Sequence, residues 1–177
     1  MKKLIMARNI YLITGDRKGI GRSLSEYYLS EGHIVIGCSR TGSELVHANY
    51  DHKICDVSNE QDVKSLILFI RKKYSRIDVL INNAGMASMN HILTTPISTF
   101  EKLVNTNFKG TFLLIREGSK IMRKNGGNII NFSTVASPLN LEGEAIYAST
   151  KAAVEKLTKI SASELSSFNI RVNCIGP

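Results

Sequence analysis

The stretch Thr14-Gly15-Asp16-Arg17-Lys18-Gly19-Ile20-Gly21 sets three glycines between a short β-rich run and a segment of helical period. The run before it, Asn9-Ile10-Tyr11-Leu12-Ile13-Thr14, has strand length, and Ile20 to Leu29 carries apolar residues at 20, 24, 27 and 28. A strand that turns into a helix through glycines can admit a pyrophosphate, because the backbone approaches closely and the helix N-terminus offers free N–H groups. The spacing is G-x-x-x-G-x-G rather than the general G-x-G-x-x-G. Its place between strand and helix therefore carries the reading.

The same alternation continues along the chain. Ile34-Val35-Ile36-Gly37-Cys38-Ser39 reads as a second strand and Lys53-Ile54-Cys55-Asp56-Val57 as a third. Ser58-x-x-Gln61 has the form of a capping box and opens a helix to about Tyr74, with Val63, Leu66, Ile67 and Ile70 inward. Ile77–Asn82 is strand four, and Ser98-x-x-Glu101 is a second capping box before a long helix toward Lys124, ended by Gly126-Gly127. Asn128–Phe132 is strand five, Tyr147 to about Ser166 a helix, and Asn169–Ile175 strand six. Near-continuous apolar strands separated by helices predict an α/β fold with a Rossmann-like, doubly wound parallel sheet covered on both faces.

The 177 residues suit one domain, 1–177. Apolar residues at 43% and charged residues at 21% exclude a disordered or fibrous chain. Cys38, Cys55 and Cys174 match no C-x-x-C spacing, so neither a disulfide framework nor a metal site is expected, and a cytoplasmic setting fits. Met1–Ala7 begins like a secretory signal, but Arg8 and Asn9 interrupt it, and it reads as the lead into the first strand. No apolar stretch reaches the roughly 18 residues of a membrane span. The net charge of +8 is spread along the chain. Its densest cluster, Arg71-Lys72-Lys73 with Arg76, closes a helix where cations meet the negative end of the macrodipole, so neither a membrane nor a nucleic-acid partner is expected.

Ser39-Arg40 stands where NAD-binding versions of such a fold carry an acidic residue for the ribose hydroxyls. Arginine there accommodates a 2′-phosphate, and Arg17 and Lys18 add cations with no carboxylate to repel it, so NADP(H) is favoured over NAD(H). Tyr147-Ala148-Ser149-Thr150-Lys151 puts a phenol and an ammonium at i and i+4 on one helix face. A cation beside a phenol stabilises phenolate and brings its pKa from near 10 toward working pH, as general acid–base catalysis requires.

Three motifs, Thr14-Gly-x-x-x-Gly-Ile-Gly21, Asn82-Asn83-Ala84-Gly85 and Tyr147-x-x-x-Lys151, follow in order, and with them the chain resembles a classical short-chain dehydrogenase/reductase from about residue 8 to the end. Within that family it is most similar to the 3-oxoacyl-acyl-carrier-protein reductase-like group. The resemblance implies strand order 3-2-1-4-5-6 and an NADP(H)-dependent oxidoreductase that interconverts a ketone and a secondary alcohol. Tyr147 would be the general acid, Lys151 would hold the nicotinamide ribose, and Asn107 would support a water-linked proton relay. Gly15, Arg17, Lys18, Gly19, Ile20, Gly21, Arg40, Asp56, Val57, Asn83, Ala84, Gly85 and Pro177 would contact the cofactor with Tyr147 and Lys151, Asp56-Val57 at the adenine. The substrate would be a small carbonyl or alcohol, including one held on an acyl-carrier protein met by Arg123 and Lys124. Met86–Met89 and the loop from Pro138 to Ile146 would line its pocket. A homodimer or homotetramer would form on the helices around 100–124 and 147–167.

Two departures stand out. The family serine 13 positions before the tyrosine is Thr134 here, with Ser133 one earlier, and Thr134 is expected to serve, its methyl stiffening χ1. The sequence also stops at Ile175-Gly176-Pro177, where the family continues into a substrate lid and a seventh strand. A fragment of a longer chain is therefore expected, with strand six left as an apolar edge. A non-catalytic dinucleotide-binding sensor or scaffold is the rival reading.

Overall fold

The computed structural model describes residues 8–177, and Met1–Ala7, read above as the lead into strand one, lie outside them. The strands are β1 (Ile10–Thr14), β2 (Ile34–Ser39), β3 (Tyr50–Ile54), β4 (Val79–Asn82), β5 (Gly127–Phe132) and β6 (Ile170–Ile175). They form one parallel sheet in the order β3-β2-β1-β4-β5-β6, the predicted order over these six strands. The helices are α1 (Gly19–Ser30), α2 (Glu60–Tyr74), α3 (Ile97–Leu103), α4 (Gly110–Met122) and α5 (Ala145–Leu165).

Side chains alternate across a strand, and β1 shows what that does for the core. Ile10 and Leu12 join Ile36, Leu80 and Ile129 beneath α2 and α4, while Tyr11 and Ile13 join Val35, Ile81 and Leu29 of α1 on the opposite face. Both faces of the sheet are thus apolar, which is why β1 and β4 are buried along their whole lengths. Leu12 and Ile13 are both fully buried, so truncating either to alanine costs about 2–5 kcal/mol.

Three sequence expectations are corrected. β3 runs over Tyr50–Ile54, earlier than Lys53–Val57, and pairs Val35↔Tyr50 through Ser39↔Ile54. It is an edge strand, half-buried and polar, so the apolar Ile54-Cys55 pair marks its exit rather than its centre. Asn59, not Ser58, caps α2: its side chain accepts from Gln61 N (2.8 Å) and Asp62 N (3.2 Å), while the Ser58 hydroxyl donates to Asp56 at 2.7 Å. The long helix to Lys124 is divided, and no capping box opens it, since Ser98 lies inside α3 after Pro96. Between α3 and α4, Val104–Lys109 forms a π-helical turn that carries Asn107, and α4 ends at Met122. Gly110 starts α4 beneath the loop after β3, where an added Cβ would meet Val57 at 2.8 Å.

Candidate active site

The carboxyl ends of the central strands open into a cleft of about 530 Å³. Its floor is the glycine loop between β1 and α1. Gly15 and Gly19 both take left-handed backbone conformations (φ +66° and +58°), which favour glycine. The loop is pinned on two sides: Gly15 N donates to Cys38 O at 2.8 Å, and Asn83 Nδ2 donates to Thr14 O at 2.8 Å. Ala84 N adds a bond to Thr14 Oγ1 at 2.9 Å. Gly15, Arg17, Lys18 and Gly19 line the cleft, with Arg40 after β2, Asp56 and Val57 after β3, and Asn83, Ala84 and Gly85 after β4. Gly21 lies behind the loop, where a Cβ would meet Gly15 O at 2.5 Å, and Ile20 is half-exposed in the first turn of α1; neither lines the cleft.

Arg17, Lys18 and Arg40 are exposed at the rim. Asp16, a carboxylate within the glycine loop itself, is fully buried and bonded to Tyr50 of β3, so it presents no charge to the cleft. Sequence reading passed over it because nothing in the loop's spacing says which way this side chain turns. Cys38, Ser39, Thr41, Cys55 and Thr106 also line the cleft beyond the residues expected, and Met86, expected at the substrate pocket, lines it too.

The first two turns of α5 bring Tyr147 and Lys151 to the same end of the sheet, and Lys151 Nζ lies 6.0 Å from the centre of the Tyr147 ring. Lys151 is buried, its ammonium donates to Phe132 O at 2.8 Å, and burial pushes its pKa down. Asn107 is buried too: its side chain accepts from Met86 N (2.8 Å) and donates to Met86 O (2.9 Å) and to Thr150 Oγ1 (3.1 Å). Thr150 in turn donates to Tyr147 O at 2.7 Å. The π-helical turn thereby ties the loop after β4 to the first turn of α5. A Cβ built on Gly85 would lie 3.4 Å from both Asn107 Oδ1 and Lys151 Nζ, so these two polar groups converge on a residue that lines the cleft.

The Ser133 hydroxyl is buried and donates to Glu155 of α5. The Thr134 hydroxyl is half-buried and accepts from Ala136 N at 3.3 Å. Of the two, Thr134 keeps its proton free for another group. Pro177 is exposed and lies outside the cleft lining. The loop after β4 and the loop before α5 meet through Asn90 N donating to Gly143 O at 2.8 Å.

The family model described as short chain dehydrogenase matches residues 9–177, and the chain belongs to that family. Among curated relatives it is similar to L-fucose dehydrogenase of Oryctolagus cuniculus, 31% identical over 97% of this chain and 62% of that protein. It is also similar to the 3-oxoacyl-acyl-carrier-protein reductase FabG of Staphylococcus aureus, 33% identical over 94% of this chain and 72% of the relative. The chain thus spans about two thirds of the length of such relatives. Among solved structures, a short-chain dehydrogenase from Streptomyces avermitilis superposes with a TM-score of 0.92 at 29% identity, covering 97% of this chain and 65% of the other. ElxO with NADP bound superposes with a TM-score of 0.90 at 32% identity, covering 96% and 73%.

The cleft fits the nicotinamide dinucleotide that this family implies. Nothing stands within 4 Å of where a Gly19 Cβ would be. No side chain caps α1 and no acidic residue occupies its first turn, so among the described residues its leading N–H groups remain open to an anion. No helix among the described residues is long and apolar enough to cross a membrane, and no three His, Cys, Asp or Glu side chains among them gather as a metal set.

Proposed function

We propose that residues 1–177 act as one NADP(H)-binding domain of an oxidoreductase that interconverts a ketone and a secondary alcohol. The observation that carries this reading is the meeting at Gly85 of the dinucleotide cleft with Lys151 and Asn107. The cations Arg17, Lys18 and Arg40 at the rim support a 2′-phosphate. The glycine loop would hold the pyrophosphate, with Gly21 keeping α1 close behind it. Asp56 and Val57 would bound the adenosine end, and Asn83, Ala84, Gly85 and Lys151 the nicotinamide end.

A bound nicotinamide supplies a hydride for reduction and accepts one for oxidation. Tyr147 gives its phenolic proton to the carbonyl oxygen as that oxygen gains charge, and takes it back in the reverse direction. Lys151, its Nζ 6.0 Å from the centre of the Tyr147 ring, would hold the nicotinamide ribose beside that phenol. Thr134 orients the substrate oxygen through its free hydroxyl proton. Asn107 holds the Met86 backbone and the first turn of α5 in place.

The substrate class we favour is a 3-oxoacyl thioester on an acidic carrier. The resemblance to FabG supports it, as do the net charge of +8 and the exposed apolar Met89, Leu139 and Leu141 on the loops beside Tyr147. Copies of the chain would pair through α4 and α5, where Phe112 and Ile160 are partly exposed. Three free cysteines agree with a cytoplasmic setting. Tyr147→Phe tests the assignment: turnover with a carbonyl substrate should fall at least about 10²-fold while NADPH affinity is unchanged. Retained turnover would refute it.

A further inference from the structure

We propose that Asp16, Tyr50 and His52 form a partly buried strut that fixes the Arg40 turn against the glycine loop, and that this strut, with Arg40, sets the preference for a cofactor carrying a 2′-phosphate. The inference rests on the cofactor reading above and assigns positioning roles to three residues that no motif of the fold names.

Asp16 stands between Gly15 and Arg17 on the cleft, yet it is fully buried. Its carboxylate enters a hollow at Gly37 of β2, where an added Cβ would overlap it and meet Tyr50 Oη at 2.7 Å. His52 lies opposite Gly37 in the β2–β3 register, and Tyr50 lies two residues earlier on the same face. Both reach the hollow. The Tyr50 hydroxyl donates to Asp16 Oδ2. Burial, then this bond, pushes the phenol far above its ordinary value, so it remains a donor. His52 Nδ1 lies 3.1 Å from Tyr50 Oη and 3.4 Å from Asp16 Oδ1, a buried oxygen with no hydrogen-bond partner among the described residues.

The other edge of the imidazole points at the Arg40 turn. Nε2 lies 3.0 Å from Thr41 O and 3.3 Å from Ser39 Oγ, so the ring grips the residues on either side of Arg40. The order carboxylate, imidazole, hydroxyl is that of a nucleophilic triad. The Ser39 proton, however, is spent on Thr41 O at 2.6 Å, and the imidazole serves as a tie rather than a base. One continuous chain of contacts therefore runs from the glycine loop, which carries Arg17 and Lys18, through β3 to the turn that carries Arg40. Holding these cations in register before binding removes the cost of ordering them on the phosphate, a gain that a cofactor without that phosphate does not share.

The test is fluorescence titration of the whole chain with NADPH and with NADH for wild type, His52→Ala, His52→Gln, Arg40→Ala and the double variant His52→Ala/Arg40→Ala. His52→Ala should weaken NADPH about tenfold, the scale of disordering one long side chain and its turn, and leave NADH within about twofold. His52→Gln, which keeps an amide donor for Thr41 O, should restore most of the ratio. In the Arg40→Ala background, His52→Ala should have no further effect, because the strut acts through Arg40. Equal weakening of both cofactors, or additive effects in the double variant, would overturn the strut while leaving the NADPH reading intact. A wild-type chain that binds the two cofactors alike would overturn both. Should His52→Ala fail to fold, Tyr50→Phe, which removes only a hydroxyl, should shift the ratio about threefold in the same direction, and an unchanged ratio would again overturn the strut.

Discussion

Gly37→Ala is the smallest change that tests whether the Asp16 carboxylate occupies the space above β2. The added methyl would overlap the carboxylate and press on Tyr50 Oη. Overpacking of this kind costs about 1–3 kcal/mol, and driving Asp16 out strands the Tyr50 hydroxyl and the imidazole at about 1–3 kcal/mol more. A total near 3 kcal/mol lowers the melting temperature of a chain this long by about 6–12 °C. Asp16→Ala empties the hollow. In that background only the Tyr50 Oη contact remains, and the hydroxyl can move into the emptied space, so Gly37→Ala should cost much less than in the wild type. Thermal and urea unfolding of the four proteins in this cycle give the coupling energy directly. Gly37→Ala that shifts the midpoint by less than about 1 °C, or effects that add across the cycle, would refute the insertion.

The two hydroxyls after β5 should separate cleanly. Thr134→Val should lower turnover at least about 10²-fold, Thr134→Ser should retain it, and Ser133→Ala, which loses bonds to Glu155 and to the Lys151 carbonyl, should leave KM unchanged; steady-state rates decide this. Glu117 of α4 gives an acid-side signature. Burial raises its carboxyl, but Lys120, 2.8 Å from both oxygens, and Arg116, at 2.8 Å, hold it below the usual carboxylate range. Its contribution to stability is therefore present above about pH 4.5 and lost as pH falls through the lowered value. Glu117→Gln should flatten the loss of stability between about pH 5 and 2, as urea unfolding at several pH values would show.

Periodicity sufficed for the sheet because its central strands are buried on both faces and read as apolar runs, as Tyr11-Leu12-Ile13 and Val79-Leu80-Ile81 do. It failed at β3, where an edge strand has one neighbour and polar residues, so Tyr50–Ile54 carries no apolar signal. The capping boxes failed for a related reason: Ser58 and Asn59 compete for one helix start, and the residue whose oxygen reaches two N–H groups prevails. Asn107 was legible as a motif residue, but its π-helical turn was not, since that widening answers to bonds with Met86 and Thr150, 21 and 43 residues distant. Asp16 and His52 belong to the same class. Their partners lie across the sheet, and no local pattern marks a carboxylate that turns inward.

Fluorescence titration of this chain with NADPH and NADH at fixed ionic strength tests the glycine-loop cleft most directly. Saturable binding of both is expected there, with NADPH tighter by at least about tenfold because Arg40, Arg17 and Lys18 meet a 2′-phosphate. Binding of neither cofactor, or tighter binding of NADH, would contradict this reading of the cleft.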